Sequence, residues 1–195
     1  MTQAFSIDAP RTALVLIDLQ QSNVARQLEP YSAAHVVKHS VRAADALRAA
    51  GGLVVFVRVD LQQLLSLPAD APLRPPGAAL PPPSASELVP EAGMQPGDLL
   101  ITKRQWGAFY GTELDQQLRR RGIGTIALTG IATNFGVEST ARAAFDRGYE
   151  LVFIEDAMTT FNGDMHRFAV QHLFTRMGRV RSTSEFVTAL GTAKA

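Results

Sequence analysis

Short apolar segments alternate with longer amphipathic segments along the chain. Within the short segments the Val, Ile and Leu residues are continuous instead of alternating with polar ones, which is typical of strands buried on both faces of a parallel sheet. The predicted strands are Thr12–Ile17, Leu53–Val59, Leu99–Ile101, Thr125–Thr129, Leu151–Ile154 and a weaker one near Val180.

Helical periodicity fills the stretches between these strands. The predicted helices are Ala33–Ala50, Thr112–Arg121, Val137–Arg147 and Met165–Arg176. Strand–helix alternation predicts an α/β fold with a mostly parallel sheet and helices on both faces. A chain of 195 residues suits one domain over residues 1–195.

A proline-rich segment, residues 66–98, interrupts this alternation. It holds nine of the eleven prolines, and proline suppresses helix because it lacks a donor and clashes with the preceding turn. We therefore expect a long surface excursion between the second and third strands. It is either a cover for the active site, an oligomer contact, or a passive insertion.

Composition narrows the function classes. Hydrophobic content of 46%, charged content of 19% and a net charge of +1 describe an ordinary soluble protein, with no electrostatic indication of nucleic-acid or membrane partners. A secretion signal and a membrane-length apolar run are not evident, so we expect a cytoplasmic protein. The absence of cysteine excludes disulfides, thiolate metal sites and a cysteine nucleophile.

Candidate chemistry concentrates where the predicted strands end, since ligands of open parallel sheets bind beyond the carboxyl ends of the strands. Asp18 follows an apolar strand, where burial could raise its pKa into the range of a general acid or base. A buried cap for the backbone of Gln20 or Gln21 is the alternative for Asp18. Lys103 could pair with Asp18 or stabilise an oxyanion, and a surface charge is its alternative.

The loop Gly130–Gly136 adds a third element to this edge. A predicted helix follows it, so free amides near Gly136 and Val137 would face a bound anion or developing negative charge. A metal or phosphate site has little support. His35 and His39 share a helix face without a third ligand and are expected to face solvent, and phosphate-loop and dinucleotide motifs are missing.

Three blocks of sequence carry a family resemblance. LVLIDLQ, ITKRQWGAFYGTELDQQLRRRGI and LTGIATNFGVESTARAAFDRGYELVFIEDA resemble, in order and spacing, the signature blocks of the isochorismatase-like hydrolases, also called cysteine hydrolases. The resemblance covers the chain from about Arg11 to Leu190. It implies a three-layer α/β/α fold with a central six-stranded parallel sheet, a small-molecule substrate, and a homodimer or homotetramer.

The resemblance also implies roles for single residues. Amidase members of the family use an Asp, a Lys and a Cys, which match Asp18, Lys103 and Gly136. A cis peptide between Ile131 and Ala132 is expected, with the amides of Ala132 and Gly136 forming an oxyanion hole. The metal-binding Asp and His of nicotinamidases would follow the second strand, which offers Asp60 but no histidine, so no metal or other cofactor is expected.

Glycine at the nucleophile position removes thioester chemistry. Thr133 and Ser139 are neighbouring hydroxyls, but neither has a histidine base at a recognisable position in the sequence. The true isochorismatases resemble this chain in carrying glycine there, and their vinyl-ether hydrolysis needs only a proton donor and water.

Asp18 would supply that proton, and Lys103 would orient Asp18 or bind a substrate carboxylate. Further residues are predicted to bind the substrate, although core or interface packing is an equal alternative for the three aromatic residues of the QWGAFY segment. The predicted substrate-binding residues are Gln20, Trp106, Phe109, Tyr110, Ala132, Asn134 and Phe135. Two other functions stay open: direct attack of water on an amide or ester, and a catalytically inactive scaffold that binds a small molecule or a protein.

Overall fold

The computed structural model of the chain describes residues 5–65, 67–75 and 77–191. Six strands form one sheet in the order β3-β2-β1-β4-β5-β6, and every neighbouring pair is parallel. The strands are β1 (Thr12–Ile17), β2 (Leu53–Val59), β3 (Leu99–Lys103), β4 (Thr125–Ile131), β5 (Glu150–Thr159) and β6 (Arg179–Arg181).

Helices cover both faces of this sheet. Helices α2 and α7 pack on one face, and α3, α4 and the α5–α6 segment pack on the other. The helices are α1 (Gln21–Val24), α2 (Ala33–Ala49), α3 (Leu114–Arg119), α4 (Glu138–Asp146), α5 (Gly163–Phe168), α6 (Thr175–Met177) and α7 (Thr183–Gly191). The predicted three-layer fold with a six-stranded parallel sheet is confirmed. Among the helices of the described residues, none is both long and apolar enough to cross a membrane.

Strand β1 shows why the predicted strands are continuously apolar. Leu14 and Leu16 face the layer of α2 and α7, whereas Val15 and Ile17 face the layer of α3 and α4. All four are fully buried. Each such side chain contributes about 1.5–3 kcal/mol relative to an exposed one, so a polar residue on either face of β1 would be costly.

The strand order places a crevice beside β1. Strands β1, β2 and β3 extend the sheet in one direction and β4, β5 and β6 extend it in the other. The chain therefore reverses its winding between the neighbouring strands β1 and β4. In doubly wound sheets a ligand crevice opens at this switch point, beyond the carboxyl ends of the strands.

The later part of the proline-rich segment lies beside the residues that follow β1. Two single 3₁₀ turns, Pro83–Ser86 and Pro90–Ala92, interrupt an otherwise irregular path. Near them the Gln21 amide donates to the Glu87 carbonyl, and the Val89 amide donates to the Leu19 carbonyl. Ser66 and Pro76 of this segment lie outside the described residues. The segment thus reaches the switch-point edge of the sheet, which its interpretation as a cover requires.

The element boundaries differ from the predicted ones at β5. This strand continues beyond the predicted end at Ile154 because it pairs with β4 a second time. The register between the two strands shifts after Leu128, and Gly130 then pairs with Met158 and Ile131 with Thr159. Glu155 and Asp156 therefore lie within a strand rather than after one. Helix α7 and the single turn of α1 were not predicted either.

Candidate active site

Asp18 follows β1 directly at the switch point. Its φ of +52° lies in the left-handed region, which aspartate adopts more readily than most residues, and it is the one non-glycine case among the described residues. The Asp18 amide donates to the Val57 carbonyl, and the Asn23 side chain donates to the Asp18 carbonyl. The backbone is therefore fixed on both sides while the side chain turns into the crevice edge, where the residue is only 6% exposed.

Lys103 forms a buried ion pair with Asp18. Its Nζ lies 2.8 Å from Asp18 Oδ2 and donates to the Trp106 carbonyl at 2.6 Å, and the residue is 1% exposed. The alternative of a surface charge for Lys103 is wrong. Burial raises the pKa of Asp18, and the nearby ammonium only partly opposes that rise. Asp18 Oδ1 has no hydrogen-bond partner within the described residues, so the carboxyl group is not used as a backbone cap.

Gly136 lies against this ion pair. A β-carbon built on Gly136 would lie 3.1 Å from Asp18 Oδ2, 3.1 Å from Lys103 Nζ and 2.9 Å from Ile17 Cγ2. Any side chain at this position would therefore begin in contact with both charged groups. The structure brings together the three positions that the sequence predicted to be catalytic.

A π-helical turn over Thr133–Val137 presents Gly136. The peptide between Ile131 and Ala132 is cis, as expected. The Ala132 carbonyl accepts from the amides of Phe135 and Val137, at 3.1 and 3.2 Å. The prediction of a free amide at Val137 is therefore wrong, because the turn itself uses that donor. Single π-helical turns of this kind are frequent at functional sites.

Aromatic side chains extend from the ion pair along the surface. Trp106, which is 49% exposed, packs edge-on against Phe135 at 4.9 Å between ring centroids, and Phe135 lies 5.9 Å from Phe161. The Arg26 guanidinium stands 5.1 Å from the Phe161 ring centre. A cavity of about 620 Å³ adjoins Arg26 and Phe161. Sequence analysis missed Arg26 and Phe161 because neither lies in a block that carries the resemblance.

The structure gives other surroundings to several residues predicted to bind substrate. Phe109 is buried in the core against the Tyr149 ring, so the packing alternative holds for it. Tyr110 is 79% exposed. Both ends of the Gln20 amide bond to the backbone of Val59, at 2.8 and 2.9 Å, which ties the end of β1 to β2.

The remaining two predicted contacts lie directly before and within the turn. Ala132 precedes the turn and is buried, and its carbonyl accepts the two hydrogen bonds given above. Asn134 is half-buried, and its Oδ1 accepts from the Thr160 hydroxyl at 2.5 Å. Trp106, Asn134 and Phe135 therefore keep partly exposed surface near the ion pair.

A histidine-rich cluster beside the turn was also missed. The Tyr31, His35 and His39 rings stack in succession at 4.7 and 4.1 Å, and His39 Nδ1 lies 3.1 Å from Asp156 Oδ2. The expectation that His35 and His39 face solvent is wrong, because both are partly buried in this stack. No group of three or more His, Asp or Glu residues in the described part of the chain is arranged to hold a metal ion.

His166 completes this cluster. It is 3% exposed, and its Nδ1 lies 2.9 Å from the Thr133 hydroxyl. Thr133 therefore has a histidine partner, although no recognisable position in the sequence indicated one. Their separation of 33 residues in sequence left no local pattern that could have shown the contact.

Known proteins resemble the chain over most of its length. The isochorismatase domain model matches residues 12–185. An isochorismatase family protein of Bacillus subtilis, YwoC, is 46% identical over 96% of this chain and 98% of its own. The crystal structure of an isochorismatase family protein from Burkholderia thailandensis matches with a TM-score of 0.90 and 42% identity, over 97% of this chain and all of that one.

A more distant relative has a named reaction. Ureidoacrylate amidohydrolase RutB of Variovorax paradoxus is 39% identical over 56% of this chain and 44% of its own length. The match to the isochorismatase domain, over residues 12–185, includes the Asp18–Lys103 pair, the turn and the cluster around His166. The chain belongs to the isochorismatase family of hydrolases.

Proposed function

We propose that this hydrolase acts without a covalent intermediate, using Asp18 as general acid and then general base on a small carboxylated or cyclic vinyl ether. The geometry at Gly136 carries the proposal. A side chain at this position would start 3.1 Å from both Asp18 and Lys103, and the family resemblance matches the position to the cysteine of the amidases. The proposed acid, cation and turn are all present, whereas the glycine packs closely against Ile17 and offers no group that could attack a substrate.

Each step of the reaction uses groups of this site. The carboxyl group of Asp18 protonates the terminal alkene carbon of the enol ether, which leaves an oxocarbenium ion. Water adds to that cation and returns a proton to the Asp18 carboxylate, and the hemiketal collapses to a ketone and an alcohol. Burial raises the pKa of Asp18 and so enlarges the protonated fraction of this carboxyl group, whereas the ion pair with Lys103 favours the carboxylate that later accepts the proton from water.

Trp106 and Phe135 form a wall for an unsaturated or ring-shaped substrate, and Lys103 limits how far the pKa of Asp18 rises. The substrate contacts at Asn134 and Tyr110 remain predictions. We further propose a homodimer or homotetramer, as the family resemblance implies, with single-domain subunits in the cytoplasm, as the length and composition of the chain indicate.

Amide hydrolysis by direct attack of water is the second candidate, because relatives such as RutB are named as amidohydrolases. The two reactions differ in the form of Asp18 that they need. Proton transfer to an alkene requires the acid, so kcat/KM falls as the pH rises through the pKa of Asp18. Activation of water requires the carboxylate, so kcat/KM rises over the same range.

Turnover of isochorismate and of a panel of small amides, followed over pH, tests the proposal. We expect vinyl-ether hydrolysis with a falling alkaline limb, and no inhibition by iodoacetamide. Hydrolysis of amides alone, with a rising profile, would establish the second candidate. Absence of any turnover would leave a binding scaffold.

Replacement of Gly136 probes the same frame. We expect Gly136→Cys to gain activity toward small amides, because its thiol would begin beside Asp18 and Lys103. Gly136→Ala is the matched control, since it adds the same β-carbon without the thiol. Equal amide turnover by the two variants would contradict the assignment of Gly136 as the nucleophile position.

A further inference from the structure

The turn that presents Gly136 is held by side chains on two sides. On the Lys103 side, the Thr140 hydroxyl donates to the Gly136 carbonyl at 2.7 Å and accepts from the Ala108 amide at 3.1 Å. On the opposite side, the Thr133 hydroxyl meets His166 at 2.9 Å. Thr140 thus connects the turn to Ala108 in the segment that follows Lys103. The contact between Thr133 and His166 has no role in the reaction described above.

His166 lies between the turn and a carboxylate. Its Nδ1 faces Thr133, and its Nε2 lies 3.5 Å from Glu155 Oε1. The Tyr31 hydroxyl donates to the same Glu155 oxygen at 2.8 Å, and the Tyr31 ring packs edge-on against the His166 ring. Glu155 is therefore held by the Tyr31 hydroxyl and lies next to the His166 imidazole, whose Nε2 has no hydrogen-bond partner among the described residues. Glu155 stands in a strand that the sequence predicted to end one residue before it.

This arrangement selects one tautomer of the imidazole. A carboxylate next to Nε2 favours the proton on that nitrogen, which leaves Nδ1 as an acceptor. The Thr133 hydroxyl then donates to Nδ1. The Glu155 carboxylate, on the other side of the imidazole, thereby sets the direction of that hydroxyl. Imidazoles that orient functional groups are commonly fixed by a carboxylate in this way.

We propose that His166 and Glu155 form a positioning pair, which orients the Thr133 hydroxyl and thereby holds the turn Thr133–Val137 with Gly136 against Asp18 and Lys103. The catalytic consequence rests on the proposed function. The Thr133 hydroxyl, the His166 imidazole and the Glu155 carboxylate follow one another in space. The triad of serine hydrolases has the same spatial order of groups. Thr133 is fully buried, however, so its oxygen acts on the turn and not on a substrate.

Three substitutions at His166 separate its two contacts. His166→Ala removes both, His166→Asn places an amide near the former Nδ1 and keeps a partner for Thr133, and His166→Gln reaches toward Glu155 only. His172→Asn is the matched control, because that histidine is exposed on the same helical segment. Should His166→Ala fail to fold, the Asn and Gln variants decide the question.

Native-state amide hydrogen exchange of residues 133–137 is the first readout, and it needs no substrate. We expect His166→Ala and His166→Gln to accelerate exchange in the turn by about tenfold, the loss of one buried hydrogen bond, while His166→Asn and His172→Asn leave it near the wild-type rate. Unchanged exchange in His166→Ala, or equal acceleration throughout the sheet, would overturn the positioning role.

Kinetics provide the second readout. We expect His166→Ala to lower kcat by about tenfold or more with little change in KM, and His166→Asn to recover most of it, because misplacing the turn affects the transition state more than binding. An unchanged kcat would overturn the proposal.

A thiol introduced by Gly136→Cys separates failure of this proposal from failure of the proposed function. Adding His166→Ala should move the pKa of that thiol, measured from the pH dependence of alkylation, toward the roughly 8.5 of a free cysteine. If the wild type hydrolyses nothing, the proposed function fails, and the exchange rates and the thiol pKa still decide the positioning pair. A thiol pKa that does not respond to His166→Ala would contradict it.

Discussion

Asp18 and Glu155 are two carboxyl groups at the same edge of the sheet, each beside a nitrogen base, yet their pKa values move in opposite directions. Asp18 is buried beside Lys103 and has one oxygen without a partner, and burial raises its pKa. Glu155 is half-buried, and the nearby His166 imidazole together with a hydrogen bond from the Tyr31 hydroxyl lowers its pKa.

The difference shows how surroundings assign roles to identical chemistry. A carboxyl group with a raised pKa keeps its proton to a higher pH than usual, whereas one with a lowered pKa keeps its negative charge to a lower pH. Asp18 is therefore suited to proton transfer and Glu155 to orientation. Four predictions test this division, in order of decreasing expected effect.

Asp18→Asn should have the largest effect, because it removes the proposed proton donor. The amide keeps the shape of the side chain but cannot donate and recover a proton, so we expect kcat/KM to fall by about 10²–10⁴-fold. Steady-state kinetics with the substrate found in the panel measure this. Glu155→Gln is the comparison, and a loss as large as that of Asp18→Asn would show that the two carboxyl groups do not divide their roles in this way.

Lys103→Met should lower the stability of the protein, because it removes the cation that pairs with the buried Asp18. Removing one member of a buried ion pair leaves an uncompensated charge, and we expect the free energy of unfolding at pH 8 to fall by about 3–5 kcal/mol. The loss should shrink at pH 4, because Asp18 can then take up a proton.

Denaturant unfolding measures both values for Lys103→Met. Arg142→Met is the control, since the pair of Arg142 with Glu138 is largely exposed and should contribute less than about 1 kcal/mol. Equal losses in the two variants would mean that the Asp18–Lys103 pair is not buried in solution.

The pH dependence of stability should carry opposite signs at the two sites. The pKa of Asp18 is raised in the folded state, so its favourable contribution is complete below its ordinary value of 3.8 and is lost as the pH rises through the folded pKa. The wild type should therefore lose stability relative to Asp18→Asn as the pH rises from 3.8 through the raised pKa of Asp18.

Glu155 should behave in the reverse manner. Its contribution is present above its ordinary value of 4.5 and is lost as the pH falls through its lowered pKa, so Glu155→Gln should flatten the acid limb of the stability profile. Urea unfolding at several pH values measures the two profiles. Profiles of the same sign would refute the comparison.

Tyr31→Phe should have the smallest effect. It removes one hydrogen bond to Glu155 without changing the ring that packs against His35 and His166, so we expect a loss of about 1 kcal/mol in the free energy of unfolding. A burial-raised pKa for Tyr31 of about 12 agrees with a hydroxyl that stays protonated beside Glu155. An unchanged unfolding free energy would indicate that water replaces this bond.

The fold and the Asp18–Lys103 pair could be predicted from the sequence because both depend on the apolar runs that form the strands. Strand β1 is buried on both faces and continuously apolar, so Asp18 stands out where it ends. Lys103 likewise ends the short apolar run of β3, although that strand lies at the edge of the sheet and is only partly buried. The positioning pair could not be found this way. Glu155 lies inside β5, whose extension depends on a register shift, and His166 reaches Thr133 only after the chain has crossed the sheet edge.

The hydrophobic pattern also could not predict which side chains enter the core and which stay exposed. Phe109 and Trp106 lie three residues apart in one segment, yet the first enters the core and the second lies half-exposed beside Phe135. Packing between layers decides such cases, and a linear motif holds no record of it. Gln20 is a further example, because its bonds to Val59 cross from one strand to the next.

The bare α-carbon of Gly136 has a consequence for chemical endurance. Thiolate enzymes lose activity when peroxide converts their nucleophile to sulfenic and then sulfinic acid. A site built from a carboxyl group, an ammonium group and a glycine offers peroxide no such target. Turnover by the proposed mechanism should therefore persist at peroxide concentrations that inactivate enzymes with a thiolate nucleophile.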